Sequence, residues 1–505
     1  MENDEIVVGS GAGGAVLAAR LSEDPARRVL LVEAGPDYPA VADLPDDLRD
    51  PWISLADHDW GYTAAYRPGR DLPYPRGKTI GGSTAVNAAA AMRGAPADFA
   101  DWVTQGNQEW GYDAVLPYYA KLETESGDDV DQAVHGVCGP LWIERARHAS
   151  WEPIGRAFCG ALAAMGYDEL DDHNAGSNRG VGPISHNVRE GMRISAATAY
   201  LTGARERPNL TVRAGCVADR VVVAGGRARG VEVLTRGHRE VIAGRRVSLA
   251  AGAIGSPAIL MRSGIGPAAA LRELGIDVVI DAPGVGQNLT DHCAVFITAP
   301  AAGAVRQNPA EYFEFYLRDG AAYLALLTLF NERALGVFYG DPGSAPVVAI
   351  APGLGRPRSR GTVELASADP AAAPRISLNF LSDPEDQKAL MDAVRLAWQV
   401  MHSPEFEPMI GRPLPPVPDI INDDAALLAW MQDTCGTGFH PVGTCRMGPD
   451  GDAEAVVDQY GRVRGVNALR IADASIMPDI VSAPVNLTCI MIGERIAEWL
   501  RARDD

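Results

Sequence analysis

A glycine-rich turn near the N-terminus is the first segment whose residue types and spacing suggest chemistry. Gly9-Ser10-Gly11-Ala12-Gly13-Gly14 has the spacing G-x-G-x-x-G, directly after Ile6-Val7-Val8 and directly before an apolar helical run over residues 15–21. In such a turn the first glycine permits the tight bend, the second lets backbone approach a pyrophosphate, and the third lets helix pack on sheet. The helix start then offers N–H groups and a partial positive charge to phosphate. Glu33 follows Gly14 by 19 residues, at the end of the apolar run Val29–Val32. A carboxylate there accepts hydrogen bonds from ribose hydroxyls and repels a 2′-phosphate. Far downstream, Leu469-Arg470-Ile471-Ala472-Asp473 reads as another strand ending in an acid. Asp473 is placed either to bond a ribityl or pyrophosphate group or to cap the turn at Ala474-Ser475. By itself the glycine turn does not separate a flavin from a nicotinamide dinucleotide.

The elements that position these residues follow from pattern. Strand, turn, helix and strand within the first 32 residues form the opening βαβ of a doubly wound sheet. Residues 209–214 and 221–234, the latter broken at Gly225-Gly226, read as antiparallel strands, and 246–251 as a buried strand entering a glycine turn. From about 290 to 440 the character changes. Asn308-Pro309-Ala310-Glu311 carries the cap, first-turn proline and acid of a helix start, which predicts a helix over 309–318. Its rings Tyr312, Phe313, Phe315 and Tyr316 suit a core stripe better than a lid. Asp383-Pro384 opens a second helix to about Met401, with strand-like pieces at 347–351 and 361–366 between the two. This region is expected to form a mixed sheet-plus-helix domain.

Bulk properties exclude several classes. The 505 residues are 47% hydrophobic and 22% charged, with 45 basic against 65 acidic residues and a net charge of −20. Nucleic acid requires a basic footprint, so it is excluded as a partner. Seven scattered cysteines without a C-x-x-C pair argue against a zinc site or a disulfide framework. The acidic Met1-Glu2-Asn3-Asp4-Glu5 start does not resemble a signal peptide. The most apolar run, residues 321–330, is about half of the ~20 residues a transmembrane helix needs. A cytoplasmic protein with no transmembrane segment is expected.

Further segments resemble one family. Gly77-Lys78-Thr79-Ile80-Gly81-Gly82-Ser83-Thr84-Ala85-Val86-Asn87, continuing to Gly94, is similar to the first signature of the glucose–methanol–choline (GMC) oxidoreductases. The stretch from Gly252-Ala253-Ile254-Gly255-Ser256-Pro257 to Gly264-Ile265-Gly266 is similar to the second. Gly284-Val285-Gly286-Gln287-Asn288-Leu289-Thr290-Asp291-His292 and His440-Pro441-Val442-Gly443-Thr444 also match, in family order, leaving residues 293–345 poorly matched. The resemblance implies an α/β fold: an FAD-binding, Rossmann-like domain from residues 1–150, 190–290 and 440–505, and a substrate-binding domain from 151–189 and 291–439. It implies that Gly9, Ser10, Gly11, Ala12, Gly14 and Glu33 hold the ADP half of FAD, with Trp60 and the backbone of Val217 nearby. Thr79, Gly82, Ser83 and Asn87 would line the flavin side, and Asp473 the ribityl–pyrophosphate part. Relatives that bind FAD covalently use a histidine where this chain has Val86, so non-covalent FAD is expected.

The same resemblance assigns the chemistry. An alcohol gives up hydride only as its hydroxyl proton leaves, and neutral imidazole is a suitable base near pH 7. A lone histidine is more often structural, but among nine the match selects His440, in the loop that the family places over the flavin N5. Asn486 matches the partner position, where an amide stabilises developing charge on oxygen; capping the helix that follows is its other reading. Relatives mostly read Asn-x-Pro-Thr there, whereas this chain reads Asn486-Leu487-Thr488-Cys489. Phe439 is a candidate pocket wall. His58, His173 and His186 read as polar-loop residues without a role. The expected function is oxidation of a small-molecule alcohol to a carbonyl. Gly438 stands where several oxidases carry a branched aliphatic residue, which favours a dehydrogenase passing electrons to a quinone or redox carrier rather than O2. Alternatives are an alcohol oxidase and a lyase of hydroxynitrile lyase or decarboxylase type.

Overall fold

The computed structural model describes residues 3–51, 57–127, 130–176, 179–302, 313–317, 320–329, 347–414 and 418–502. The strands that position the site are, in chain order, β1 (Asn3–Val8), β2 (Val29–Val32), β3 (Leu210–Arg213), β4 (Cys216–Ala224), β5 (Arg227–Thr235) and β6 (His238–Leu249). They continue with β7 (Cys293–Ala294), β8 (Ile297–Pro300), β9 (Phe313–Leu317), β10 (Ala322–Leu329), β11 (Val347–Leu354), β12 (Gly436–Thr437) and β13 (Leu469–Ile471). Four helices matter: α1 (Ala12–Leu21), α2 (Gly252–Arg262), α3 (Pro384–Met401) and α4 (Asn486–Ala502).

The first sheet runs β3-β2-β1-β6-β5-β4, with β13 paired to the other side of β6. Strands β3, β2 and β1 are successive parallel neighbours, β1 and β13 each pair parallel with β6, and together they form an α/β, Rossmann-like core. Strand β6 joins two regimes. Its first half pairs antiparallel with β5, and from Gly244 to Leu249 it pairs parallel with β1. All four residues of β2 are buried, the continuous apolar reading expected where both faces of a parallel strand are covered. Residues 221–234 form the expected antiparallel pair, but β3 pairs parallel with β2. An isolated apolar strand of four residues carries no mark of its partner's direction.

The second sheet runs β9-β10-β11-β7-β12, with β8 also on β11. Phe315, Leu324, Leu326, Val348 and Ile350 point to one face and pack with Leu390, Ala393, Val394 and Ala397 of α3. Helix α3 starts where expected, with the Asp383 carboxylate accepting from Glu385 N at 2.8 Å. The expected helix over 309–318 is overturned: residues 313–317 are strand β9, paired residue by residue with β10. Alternation explains the change, since Phe315 enters the core below while Glu314 and Tyr316 face the other side. The remaining residues of that expectation, 308–312 and 318, lie outside the described residues. Among the described residues no helix is long and apolar enough to cross a membrane.

Candidate active site

The glycine turn lies between β1 and α1. Gly9 has φ +92°, and a Cβ on it would lie 2.5 Å from the Ala250 carbonyl oxygen, so only glycine fits. A Cβ on Gly14 would lie 1.8 Å from the Gly9 oxygen, the close helix–strand approach the motif demands. Gly11 begins α1 with no side-chain cap, and a Cβ there would meet nothing within 4 Å. The first N–H groups of α1 thus have no intrahelical acceptor and open onto accessible space. This arrangement fits a pyrophosphate.

Glu33 braces this turn. Its Oε2 accepts from Ser10 N at 3.0 Å and Ser10 Oγ at 2.5 Å, while Oε1 accepts from Gly35 N at 2.8 Å. Ser10 Oγ in turn accepts from Gly81 N at 3.1 Å, which ties the Gly77–Asn87 segment to the turn. Burial pushes the Glu33 carboxyl up, against the pull of the Gly35 and Ser10 bonds. Gly82 lies directly on the turn, since its Cβ would fall 3.0 Å from Gly11 Cα. Ser83 Oγ accepts from Gly77 N at 3.2 Å, and Asn87 Oδ1 from Ala89 N at 3.0 Å. Thr79 is fully buried at the Glu33 end, its hydroxyl donating to Pro36 O at 3.3 Å, rather than on a flavin-facing surface. Ala12 opens α1. Val217 follows Cys216, whose N–H bonds the Glu33 carbonyl at 2.9 Å, and so lies beside the ribose-binding candidate. Trp60 stacks on Tyr62 at 5.8 Å beneath the Lys78 ammonium.

Asp473 makes the cap that was one of its two readings. Its Oδ1 accepts from Ser475 N and Oγ, and its Oδ2 from Gly252 N and Ser256 Oγ. Four bonds fill a carboxylate's acceptor sites. Asp473 therefore caps the turn at Ala474 and ties it to the start of α2.

The chemistry centre is a pair of histidines. His440 Nδ1 and His292 Nδ1 lie 2.8 Å apart, with ring planes at 85°. His292 Nε2 contacts two backbone carbonyls, Gly355 O and Val481 O, each at 3.0 Å. Carbonyls only accept, so His292 Nε2 carries its proton and, in the neutral ring, Nδ1 is a bare acceptor. His440 Nδ1 must then be the donor between the rings, which leaves His440 Nε2 with its lone pair exposed. Burial, then the His292 and Arg76 charges, hold His440 well below the ordinary imidazole range. Burial brings His292 to about 4. His440 keeps accessible surface although it lies deep among protein atoms, as a side chain lining an internal cavity does.

Asp291 fixes the loop that carries His440. Its Oδ1 accepts from His440 N at 2.8 Å; its Oδ2 accepts from Tyr74 Oη at 2.6 Å and from Thr437 Oγ1. Phe439 takes φ +61°, its carbonyl accepts from Arg76 Nη1 at 2.8 Å, and its ring lies against Tyr74. It packs beneath the loop against the apolar core that also holds the second sheet. Gly438 has a steric reason: a Cβ would fall 3.0 Å from both His292 Cβ and His440 Nδ1. A side chain there would press on both histidines, which would have to shift by a few tenths of an ångström to admit it.

Asn486 begins α4, and its Nδ2 donates to Asn187 Oδ1 at 3.4 Å. Asn187 is held in turn by donating to Ile194 O at 2.8 Å. One Asn486 amide hydrogen is thus directed and the other remains for a ligand. His292, Asp291 and Asn187 were missed in the sequence. The first two stood within a recognised segment and carried the signal, an acid and an imidazole side by side, whereas Asn187 carried none. His173 and His186, expected in polar loops, are buried, His186 within a short strand.

Comparison with known proteins agrees with this geometry. The GMC oxidoreductase family profile matches residues 3–294 in its N-terminal part and 357–493 in its C-terminal part. An oxygen-dependent choline dehydrogenase of Brucella anthropi is 36% identical over all of this chain and 96% of its own length. The crystal structure of pyridoxine 4-oxidase from Mesorbium loti superposes with a TM-score of 0.91 at 32% identity, covering both chains fully. A formate oxidase structure gives a TM-score of 0.89 at 25% identity over 99% of each chain.

Proposed function

Because the chain belongs to the GMC oxidoreductase family, and is an FAD-dependent oxidoreductase acting on CH–OH donors, we propose that it oxidises an alcohol to its carbonyl with His440 Nε2 as base. The observation that carries this reading is the His292–His440 pair, whose hydrogen bonding leaves that nitrogen unprotonated. When bound, FAD supplies the two-electron acceptor for the hydride leaving the carbinol carbon. The glycine turn, Ser10 and Glu33 would hold its ADP half, and the Gly77–Asn87 segment would lie beside it. Val86 offers no nucleophile for a covalent link.

His440 Nε2 takes the hydroxyl proton, and the cost of charging a buried imidazole falls as its Nδ1–H bond to His292 strengthens. Asn486 donates to the same substrate oxygen, where negative charge accumulates as the proton leaves. Asp291 and Gly438 keep the base in register. The two largest sheets each draw their strands from one part, which supports dividing the chain into a dinucleotide part (1–150, 190–290, 440–505) and a covering part (151–189, 291–439). A smaller sheet nevertheless pairs Arg375–Ser377 with Thr63–Arg67 across that division. The acidic composition and cysteine pattern favour a cytoplasmic location.

Anaerobic mixing with a panel of aliphatic, aryl, furanic, sugar and amino alcohols tests the reading. Bleaching of the yellow flavin band is expected for at least one class. Product formed with the colour persisting would mean lyase chemistry. Reoxidation by air against a quinone dye then separates oxidase from dehydrogenase.

A further inference from the structure

The Nε2 proton of His292 sits between two backbone carbonyls, Gly355 O and Val481 O, each at 3.0 Å. This clamp sets the tautomer of both rings. With its proton on Nδ1 instead, His292 would turn an Nε2 lone pair on two oxygens that only accept. The swapped arrangement would also put the His440 proton on Nε2 and leave no base for an alcohol. Yet two carbonyl oxygens converging on one N–H repel each other as like partial charges. They come from segments far apart in the chain, so something must hold those segments together.

One carboxylate reaches both. Asp98 lies in the first turn of the helix Pro96–Thr104, and its side chain has no exposed surface. Its Oδ2 accepts from Ala95 N at 2.8 Å, and from Ser482 N and Ser482 Oγ at 2.9 Å each. Ser482 directly follows Val481. Its Oδ1 accepts no hydrogen bond from a described residue and faces Arg356 Nε at 3.6 Å. Arg356 directly follows Gly355. A buried carboxylate oxygen without a donor is costly, so the cation beside it matters for its charge. Burial pushes the Asp98 carboxyl up, while the Ser482 and Ala95 bonds and the Arg356 charge pull it down. The two segments also pack on each other, since a Cβ on Gly355 would lie 3.1 Å from Ser482 O. The same helix grips the second segment again, with Trp102 Nε1 donating to Asp479 O at 3.1 Å.

We propose that Asp98 is a positioning residue for the reaction: by fastening Ser482 and Arg356 it holds Val481 O and Gly355 O on His292, and so keeps the lone pair of His440 on Nε2. The assignment rests on His440 as the base and goes beyond it. Among the described residues Asp98 bonds neither histidine, so it acts through the two carbonyls.

Asp98→Asn is the first test. The amide keeps an oxygen for Ala95 and Ser482 but turns an N–H on Arg356, which drives the guanidinium and Gly355 away. Arg356 is part-exposed, so Arg356→Gln opens the same side of the clamp without disturbing a buried cap. Nitrogen-15 NMR of the histidine-labelled holoenzymes reads the cause without substrate. His292 carries its proton on Nε2 in the wild type and shifts towards Nδ1 in both variants. The kinetic arm uses the alcohol of the panel above that bleaches the wild-type flavin fastest. Reduction slows ~10-fold in each variant, within the ~10²-fold limit set by losing the His292 ring, and the Kd of the alcohol is unchanged. The loss is the same from about pH 6 to about pH 9, because exchanging tautomers adds no proton to the pair and removes none. In a His292→Ala background Asp98→Asn costs nothing further, since the ring it acts through is gone.

An unchanged His292 tautomer with normal reduction in both variants overturns the assignment. So does an equal further loss in the His292→Ala background, the mark of a merely structural role. If Asp98→Asn fails to fold or to keep FAD, Arg356→Gln decides alone. If His440→Ala reduces at a near-normal rate, the base itself is misassigned and this proposal falls with it.

Discussion

Two buried histidine clusters in this protein hold different charge states. His440 and His292 face each other and backbone carbonyls, and both are pushed towards the neutral form. His135 instead bonds Asp172 through Nε2 at 2.8 Å, and Glu123 and Glu125 through Nδ1 at 2.9 and 2.6 Å. Burial pulls its pKa down, but those three carboxylates outweigh it and raise it to about 11. Arg93 and Arg145 complete the group, so three anions meet three cations. Glu123, Glu125 and His135 bring their ligand atoms within 4.8 Å of one another, a spacing a metal site shares. Here the imidazolium and two guanidinium groups already neutralise the carboxylates. The contrast shows that burial alone does not decide a histidine's charge. Carboxylate neighbours make it a fixed cation, while carbonyl and imidazole neighbours keep a lone pair ready for catalysis.

The comparison breaks most sharply at the base. His440→Ala is expected to slow flavin reduction by at least ~10³-fold with FAD still bound, read by anaerobic stopped flow; near-normal reduction would remove His440 from the mechanism. His292→Ala should cost less, on the order of 10²-fold, because the ring survives but its tautomer and orientation are no longer imposed. A similar loss, on the order of 10²-fold, is expected for Asn486→Ala. His135→Gln should act on stability instead. Breaking a buried ion network costs about 3–5 kcal/mol, seen as a lower melting temperature with an unchanged reduction rate per folded molecule.

The smallest effects lie in pH dependence, and the two clusters diverge there. A histidine whose folded pKa is raised stabilises the fold below its unfolded value, and loses that contribution as pH rises towards the folded one. The melting-temperature gap between wild type and His135→Gln should therefore narrow between about pH 7 and pH 11. His292 has a lowered folded pKa, so its contribution is present above the ordinary histidine value and is lost as pH falls towards about 4. Flavin reduction should likewise stay level through the ordinary imidazole range and fall only at lower pH. An acid limb centred near 6.5 would contradict the bare, buried base.

Much of the frame was legible because its signals are local. Gly9, Gly11 and Gly14 announce their turn by spacing, and β1, α1 and β2 follow from apolar runs of the right length. Asp383-Pro384 marks the start of α3 by cap chemistry alone. Where the reading went astray, a local signal met a non-local partner. Asn308-Pro309 suggested a helix, but the residues after it pair with β10. The strand Leu210–Arg213 took its direction from β2, about 180 residues earlier. Between the two readings of Asp473, the sequence could not show that Ser256 and Gly252, more than 200 residues earlier, would bond its second oxygen.

The sequence by itself determined the dinucleotide turn, the kind of sheet it sits on and, through its resemblance, which imidazole and carboxamide to propose. Only the tertiary structure decided which nitrogen of His440 is bare. That depends on His292, 148 positions away, and on two backbone carbonyls from still other segments. Protonation is a property of neighbours in space, and a linear chain does not state which neighbours its folding will bring.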